Sequence, residues 1–386
     1  TGAAQVLSAL SNTTVNSGAT LDLNGRSQTL GSLAGGGTVQ TGADAQTVLS
    51  VGNATSTIFS GNIAGSGSLA KNGTGTLTLS GANTYTGETR ITAGGLTLSG
   101  ADRLSNQTAL SVANGATFTL GNVAQRIGSL AGAGSVVLGA GTLSNGTNNV
   151  STQFSGILSG SGGVTKAGTG EWLLSGANTY TGATTLNGGM LTLNGSLSAS
   201  AMTVNTGATL AGSGTTTGAV TVQSGGTLSP GQRLGTQSLP GQLTISNSLS
   251  LLAGSTLVMD LDPNGNNLTD DQILGPTSVS LAGNLVVNAL SSFIPLTSGS
   301  WRLINSGATP TGSFSSVTLP SVTAVTSADS AFSVVTNESP VANQFPVTLR
   351  LASSSAAWPQ PHSLSLAAAD DTGLSNRDGI TRNTSA

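Results

Sequence analysis

Ser80-Gly81-Ala82-Asn83-Thr84-Tyr85-Thr86-Gly87 returns unchanged as Ser175-Gly176-Ala177-Asn178-Thr179-Tyr180-Thr181-Gly182, a shift of 95. The match runs outward on both sides. Phe59-Ser60-Gly61 recurs as Phe154-Ser155-Gly156, Lys71 as Lys166, and Gly73-Thr74-Gly75 as Gly168-Thr169-Gly170. Farther upstream, Gly31-Ser32-Leu33-Ala34-Gly35 recurs as Gly128 to Gly132, now at a shift of 97. The stretch from 1 to 196 therefore holds two copies of one long unit, with a small slip between their halves. Self-similarity of this kind marks a repeat architecture.

Within each copy lie brief alternating segments such as Leu77-Thr78-Leu79, Leu96-Thr97-Leu98 and Leu191-Thr192-Leu193. An aliphatic residue at every second position, with Thr or Ser between, gives a strand one dry face and one wet face. The separators are Gly-Ser-Gly, Asn-Gly, Gly-Thr-Gly and Gly-Ala-Asn, and Gly and Asn tolerate the positive φ of tight corners. Gly207-Ala208-Thr209-Leu210 returns as Gly225-Gly226-Thr227-Leu228, and one coil is expected to be close to that spacing. Strands this short suit an all-β right-handed parallel β-helix, a β-solenoid; an ordinary β-sandwich is the competing fold. About 300 residues at about 20 per coil would give roughly 15 coils and a rod of about 70 Å.

Composition agrees with stacking. Of 386 residues, 56 are glycine and 25 are charged, where an ordinary domain has roughly a quarter charged residues and about 7% glycine. A column of like residues in register repels if charged and is stable if built from Thr, Ser and Asn. The net charge is −3, so disorder from self-repulsion is not expected. Eleven scattered basic residues cannot neutralise several phosphates together, which excludes nucleic acid as a partner. The absence of cysteine excludes disulfides and thiolate metal sites. No apolar run reaches the roughly 18 residues of a membrane span, so no membrane insertion by this segment is expected. Thr1-Gly2-Ala3-Ala4 lacks the features of a signal peptide, and the chain is expected to be cut from a longer protein.

Residues Gly65 to Gly87, GSGSLAKNGTGTLTLSGANTYTG, closely resemble the passenger-associated repeat of bacterial autotransporters, and Gly160 to Gly182 resembles it with Glu171-Trp172 in place of Thr-Leu. Gly225-Gly226-Thr227-Leu228-Ser229-Pro230-Gly231 and Gly254 to Leu257 are similar to sequences that follow in such passengers, so the resemblance spans roughly positions 1 to 350. It implies a secreted right-handed β-helix at the surface of a Gram-negative bacterium, in an adhesin or virulence factor of the outer membrane. The family's membrane β-barrel is missing from this sequence. Instead, after a linker from Ala352 to Pro361, Leu364 to Thr381 resembles the opening of a bacterial Ig-like repeat. The expected organisation is a repeat-bearing β-helix over 1–258, C-terminal coils or a cap over 259–351, and a linker with the start of an Ig-like domain over 352–386.

The chemistry-bearing residues are sparse. The single histidine, His362, follows the linker in a flexible stretch, which excludes a Ser-His-Asp arrangement. No G-x-S-x-G, G-x-G-x-x-G or P-loop is complete. β-Helices also host polysaccharide-cleaving enzymes, which need paired acids, yet Asp22, Asp44, Glu88, Asp102 and Glu171 are the only acids before residue 260 and are far apart. Glu88 aligns with Ala183 and Glu171 with Thr76, so neither belongs to the repeat. The stretch from 260 to 386 holds nine acids against four bases. There, Asp260, Asp262, Asn264, Asn266 and Asp271, with Gly265 at position six, imitate a calcium loop. The flanks read as strands, and the alternative is an Asx-rich turn. Lys71/Lys166 and Tyr85/Tyr180 read either as repeated ligand contacts or, with more weight, as solvated edge lysines and tyrosines plugging a corner.

The expected function is a non-enzymatic adhesin segment at the bacterial cell surface. It would be a stiff β-helix, with no catalytic residue and no required cofactor, contacting a host cell, a glycan or neighbouring bacteria. The alternatives are a β-helix polysaccharide enzyme and a passive stalk. No ligand-binding residue is singled out.

Overall fold

The computed structural model describes residues 7–234, 237–261, 270–289, 299–319, 330–336 and 345–353, in two compact units, Thr1–Met202 and Thr203–Ala386. Among the described residues every regular element is a β-strand. The expected all-β solenoid is what forms. Most of the linker and the whole Ig-like stretch, 354–386, lie outside the described residues.

In the first unit each coil passes through three faces. The first coil places Asn12–Val15 on face one, Thr20–Asp22 on face two and Gln28–Leu30 on face three. The next coil repeats the order with Ser32–Gly35, Thr38–Gln40 and Val48–Val51. Like strands pair in parallel and in register: Asn12 with Ser32, Thr20 with Thr38, Gln28 with Leu49. The step from coil to coil is therefore nearly the same on every face, about 20 residues, at the short end of solenoid repeats. Face one continues through eight strands to Ile157–Gly160.

Stacking converts the period-two pattern into columns. On face one Leu77, Leu96, Phe118 and Val136 are successive register partners, all buried. Such a side chain contributes about 1.5–3 kcal/mol relative to exposure. Thr78, Thr97 and Thr119 form the matching outward column. The chain buries one aliphatic stripe per face and leaves a hydroxyl stripe outside.

The second unit departs from the expected coil of about 20 residues. Thr209 pairs with Thr227, which keeps the short step, but Thr227 then pairs with Thr256, Thr256 with Asn284, and Asn284 with Ser316. Those coils are longer: Asn288 stands 28 positions beyond its partner Asp260, and Ser316 stands 32 beyond Asn284. One cause is an antiparallel hairpin, Gln232–Leu234 with Gln237–Leu239, inserted before Gln242–Ile245. Another is longer strands, Thr256–Leu261 and Asn284–Ala289. The coil of about 20 residues expected from sequence therefore gives way to longer coils beyond Thr227. On the face of Gln272–Leu274 parallel stacking ends at Gly299–Ser306, which pairs in parallel with Gln272–Leu274 and antiparallel with Phe345–Ser353, while the other two faces continue in parallel to Thr311–Gly312 and Ser316–Thr318. Phe345–Ser353 in turn pairs antiparallel with Ser330–Thr336.

Not all corner glycines serve positive φ. Asn24, Asp102, Asn122 and Asn149 adopt φ of 48° to 64°, as the corner chemistry requires. Gly61, Gly81, Gly156 and Gly176 are absent from the positive-φ set. At each of them a Cβ would overlap the carbonyl oxygen of the glycine one coil earlier: Gly37, Gly61, Gly134 and Gly156. Close coil contact, not backbone conformation, excludes a side chain there. Gly81→Ala is expected to lower stability by about 2–3 kcal/mol, because backbone must move. Ala82→Gly, at the exposed neighbour, should cost about 1 kcal/mol or less. Urea unfolding midpoints of the two variants check this; equal midpoints would refute the close-contact explanation.

Candidate functional site

The repeated octapeptide builds a corner that ties three coils together. Asn83 is buried; its Oδ1 accepts from the Ile63 N–H at 3.0 Å, in the coil before. Its Nδ2 donates to the Arg103 carbonyl at 2.9 Å, in the coil after. Asn178 does the same with Leu158 N at 3.0 Å and the Ser196 carbonyl at 3.3 Å. A buried side-chain amide thus satisfies backbone on both sides; Asn83 lies outside any strand, whereas Asn178 lies in the short strand Ala177–Asn178, which also pairs in parallel with Ser196–Leu197.

Tyr85 and Tyr180 are fully buried, and their hydroxyls meet Thr89 Oγ1 at 2.5 Å and Thr184 Oγ1 at 2.6 Å. In the second copy the chain of hydroxyls continues from Thr184 to Ser200, whose Oγ donates to the Gly182 carbonyl at 2.7 Å. Burial pushes the Tyr180 phenol up to about 12 and raises that of Tyr85 as well. The tyrosines are corner plugs.

The lysines are not the solvated edge charges expected from sequence. Lys71 and Lys166 are 2% and 1% exposed. The Lys71 ammonium donates to the carbonyls of Asn72 at 2.6 Å, Gly73 at 3.0 Å and, one coil on, Ala93 at 3.3 Å. Lys166 repeats this with Ala167, Gly168 and Gly188 at 2.5, 3.1 and 3.4 Å. Three donors meet three carbonyls of the bend. The long aliphatic stem lets the ammonium reach them from an inward-facing position. Burial lowers the pKa of both, that of Lys166 to about 8.

The two repeats face different directions. Ser68–Lys71 lies on face three, whereas Val164–Lys166 lies on face two. Thr76–Leu79 lies on face one and its counterpart Glu171–Leu174 on face three. The shift between the copies amounts to four whole coils and two of the three faces of a fifth. Equivalent residues are therefore turned by one face. They cannot form one continuous ligand stripe, which removes the reading of the lysines and tyrosines as repeated contacts. The signal was legible: the long shift is not a multiple of the coil.

The outward surfaces differ in charge. No face-one strand from Asn12–Val15 to Ile157–Gly160 contains a charged residue. That face presents Thr76, Thr78, Thr97, Thr117 and Thr119 in adjacent columns, with Ile58, Val137 and Ile157 among its outward positions. Face three carries the exposed Arg90, paired with Glu88 at 2.9 Å. Arg126 pairs with Asp102 at 3.0 Å. Glu171 is half-buried and accepts from Thr192 Oγ1 at 2.5 Å. Glu88 and Glu171 share a column but stand four coils apart, about 19 Å, beyond the about 5–9.5 Å of a glycosidase pair. Asp22 and Asp44 accept from the backbone N–H two residues on, as in Asx turns.

In the second unit Asp260 and Asp271 come together at the base of their loop. Asp271 Oδ1 accepts from Gly241 N and its Oδ2 from Asp260 N, both at 2.9 Å. Asp260 Oδ1 accepts from Asn288 Nδ2 at 2.7 Å. Both carboxylates are buried and serve the backbone and an amide. Asp262, Asn264 and Asn266 lie outside the described residues, as does His362. Among the described residues no group of three or more His, Cys, Asp or Glu is arranged to hold a metal ion.

The lysine clamp has a pH signature. The unfolded chain keeps the Lys166 proton up to the ordinary value of 10.5, the folded chain only to about 8. Unfolded protein thus binds more protons in that window, and the lysine's contribution to stability rises with pH. Relative to Lys166→Met, the wild type should gain stability as pH rises from about 8 toward 10.5, read from paired melting curves. A constant difference would show that folding leaves this ammonium unperturbed.

Residues 69–101 and 164–198 match the passenger-associated-transport-repeat family. Over 164 residues, 40% of this chain, the sequence is 38% identical to the adhesin BmaC autotransporter of Brucella suis biovar 1 (strain 1330). The match covers 5% of that protein's length. With the corner chemistry of Asn83, Lys71 and Tyr85 duplicated at Asn178, Lys166 and Tyr180, the chain is a β-solenoid carrying two segments that match the passenger-associated transport repeat.

Proposed function

We propose that this chain is a non-enzymatic segment of a larger bacterial surface adhesin, displayed outside the cell, whose solenoid contacts a glycan on a host cell or on neighbouring bacteria. One observation carries the reading: face one is free of charge over eight stacked strands and presents hydroxyls and methyls in register. A neutral polysaccharide offers matching hydroxyls and apolar ring faces over a similar length. The name of the Brucella relative supports the adhesin role.

Two acidic substitutions on that face, Thr78→Glu with Thr97→Glu, place like charges on adjacent coils of an otherwise uncharged stripe. Binding to an array of neutral glycans should fall at least tenfold, about 1.4 kcal/mol, while Glu88→Gln beside face three leaves it unchanged. Equal binding by all three proteins would sink the face-one assignment; no binding by any would leave a passive stalk. A polysaccharide-cleaving role would show as product release from the same array, lost in Glu171→Gln or Asp260→Asn.

The reading includes no resident cofactor. Asp271 accepts backbone N–H groups, those of Gly241 and Asp260, at both carboxylate oxygens, a structural use of this acid that supports the reading without calcium. Millimolar calcium should therefore leave the melting temperature unchanged. A rise with added calcium, reversed by chelator, would restore the metal site.

A further inference from the structure

We infer that Asn114-Gly115 is a self-modification site, at which the folded protein converts Asn114 to aspartate and isoaspartate with water as the only co-reactant. The corner between Ala109–Val112 and Thr117–Thr119 has four residues, 113 to 116. The corner one coil below, 92 to 94, has three, and the one above, 133 and 134, has two. The tip of this turn stands open to solvent. Asn114 and Gly115 are both exposed, and a Cβ built on Gly115 would meet nothing within 4 Å. Gly115 has a φ of +80°, and the turn is closed by Ala116 N–H donating to the Ala113 carbonyl at 3.0 Å.

Asn-Gly is reactive because glycine lacks a Cβ, so its amide nitrogen can approach the preceding side chain. The Gly115 nitrogen, on losing its proton to solvent base, attacks Cγ of Asn114. The N–Cγ bond forms, the Cγ–Nδ2 bond breaks, and ammonia leaves with a proton from water. Water then adds to one of the two imide carbonyls. Opening on one side gives aspartate; opening on the other gives isoaspartate, with Cβ in the main chain. One water is consumed and one ammonia released.

Six Asn-Gly pairs lie among the described residues, and the other five are held. Gly25 N–H donates to Thr41 O at 3.2 Å, and Gly195 N–H to Leu174 O at 3.0 Å, so both nucleophiles are engaged. Asn145 is buried. Asn72 Oδ1 accepts from Thr92 Oγ1 at 2.5 Å, and Gly73 backs onto the Gly52 and Asn53 backbone. Gly188, half-buried, rests on the Gly168 carbonyl of the coil before. Coil stacking protects these pairs, and the exposed turn escapes it. The reaction adds a carboxylate to a surface with few charges and leaves the stacked strands in place.

Native protein is incubated at mildly alkaline pH and mapped by peptide mass spectrometry, with enzymatic methylation to detect isoaspartate. Position 114 should gain one dalton at least about tenfold faster than positions 24, 72, 145, 187 or 194, while the melting temperature stays constant. Urea-unfolded chain should react at all six. Gly115→Ala should slow the native reaction at least about tenfold. Native protein in which Asn114 is no faster than the other pairs, or is inert while the unfolded chain reacts, overturns the inference.

Discussion

In-register stacking of one coil on the next is the constraint from which the other features of the first unit follow. Coils about 4.8 Å apart leave room for one strand's thickness and no more. Each residue therefore has like-positioned neighbours above and below, as Leu96 has Leu77 on one side and Phe118 on the other. Inward columns fuse into a continuous apolar core, and outward columns favour uncharged side chains. Where the main chain bends through Gly61 and Gly81, the coils come too close for any side chain. The sparse charge and abundant glycine of this chain express the same geometry.

Corners are where that geometry fails to satisfy the backbone. A turning chain exposes carbonyls and N–H groups that a strand would have paired, and burying them unpaired is costly. The passenger-associated repeat solves this with two side chains. Asn83 and Asn178 reach to the coils on both sides, and Lys71 and Lys166 gather three carbonyls each. Both are polar groups held among inward-facing side chains, and each is satisfied by backbone, not by another charge. Their near-identical geometry on different faces shows that the repeat is a local folding module, indifferent to its direction.

That indifference separates structural identity from function. A binding surface needs residues that face one way, and the repeat does not supply this. An uncharged surface of continuous orientation is the outward side of face one, built of strands from inside and outside the repeats. The shared sequence maintains the scaffold, and the columns that vary between coils, with Thr in one and Val or Ile in another, give the face its character.

Much of the fold was legible in the chain. Period-two segments such as Leu77-Thr78-Leu79 specify strands with a single dry side, and their spacing specifies coils, because both are local properties of alternating residues and corner residues. The duplicated octapeptide marked the corner, and the shift between its copies already encoded its rotation. The fate of Lys71 was not legible: a lone lysine among Thr and Ser reads as a surface charge until three carbonyls from two coils are seen around it. Nor could the sequence show that Asp271 clasps Gly241, distant in the chain, or that the coils of the second unit lengthen past Thr227. Sequence by itself determined which apolar residues turn inward and where the chain bends. Only the tertiary structure decided which unpaired backbone groups meet at each bend, because that depends on coils distant in sequence and adjacent in space.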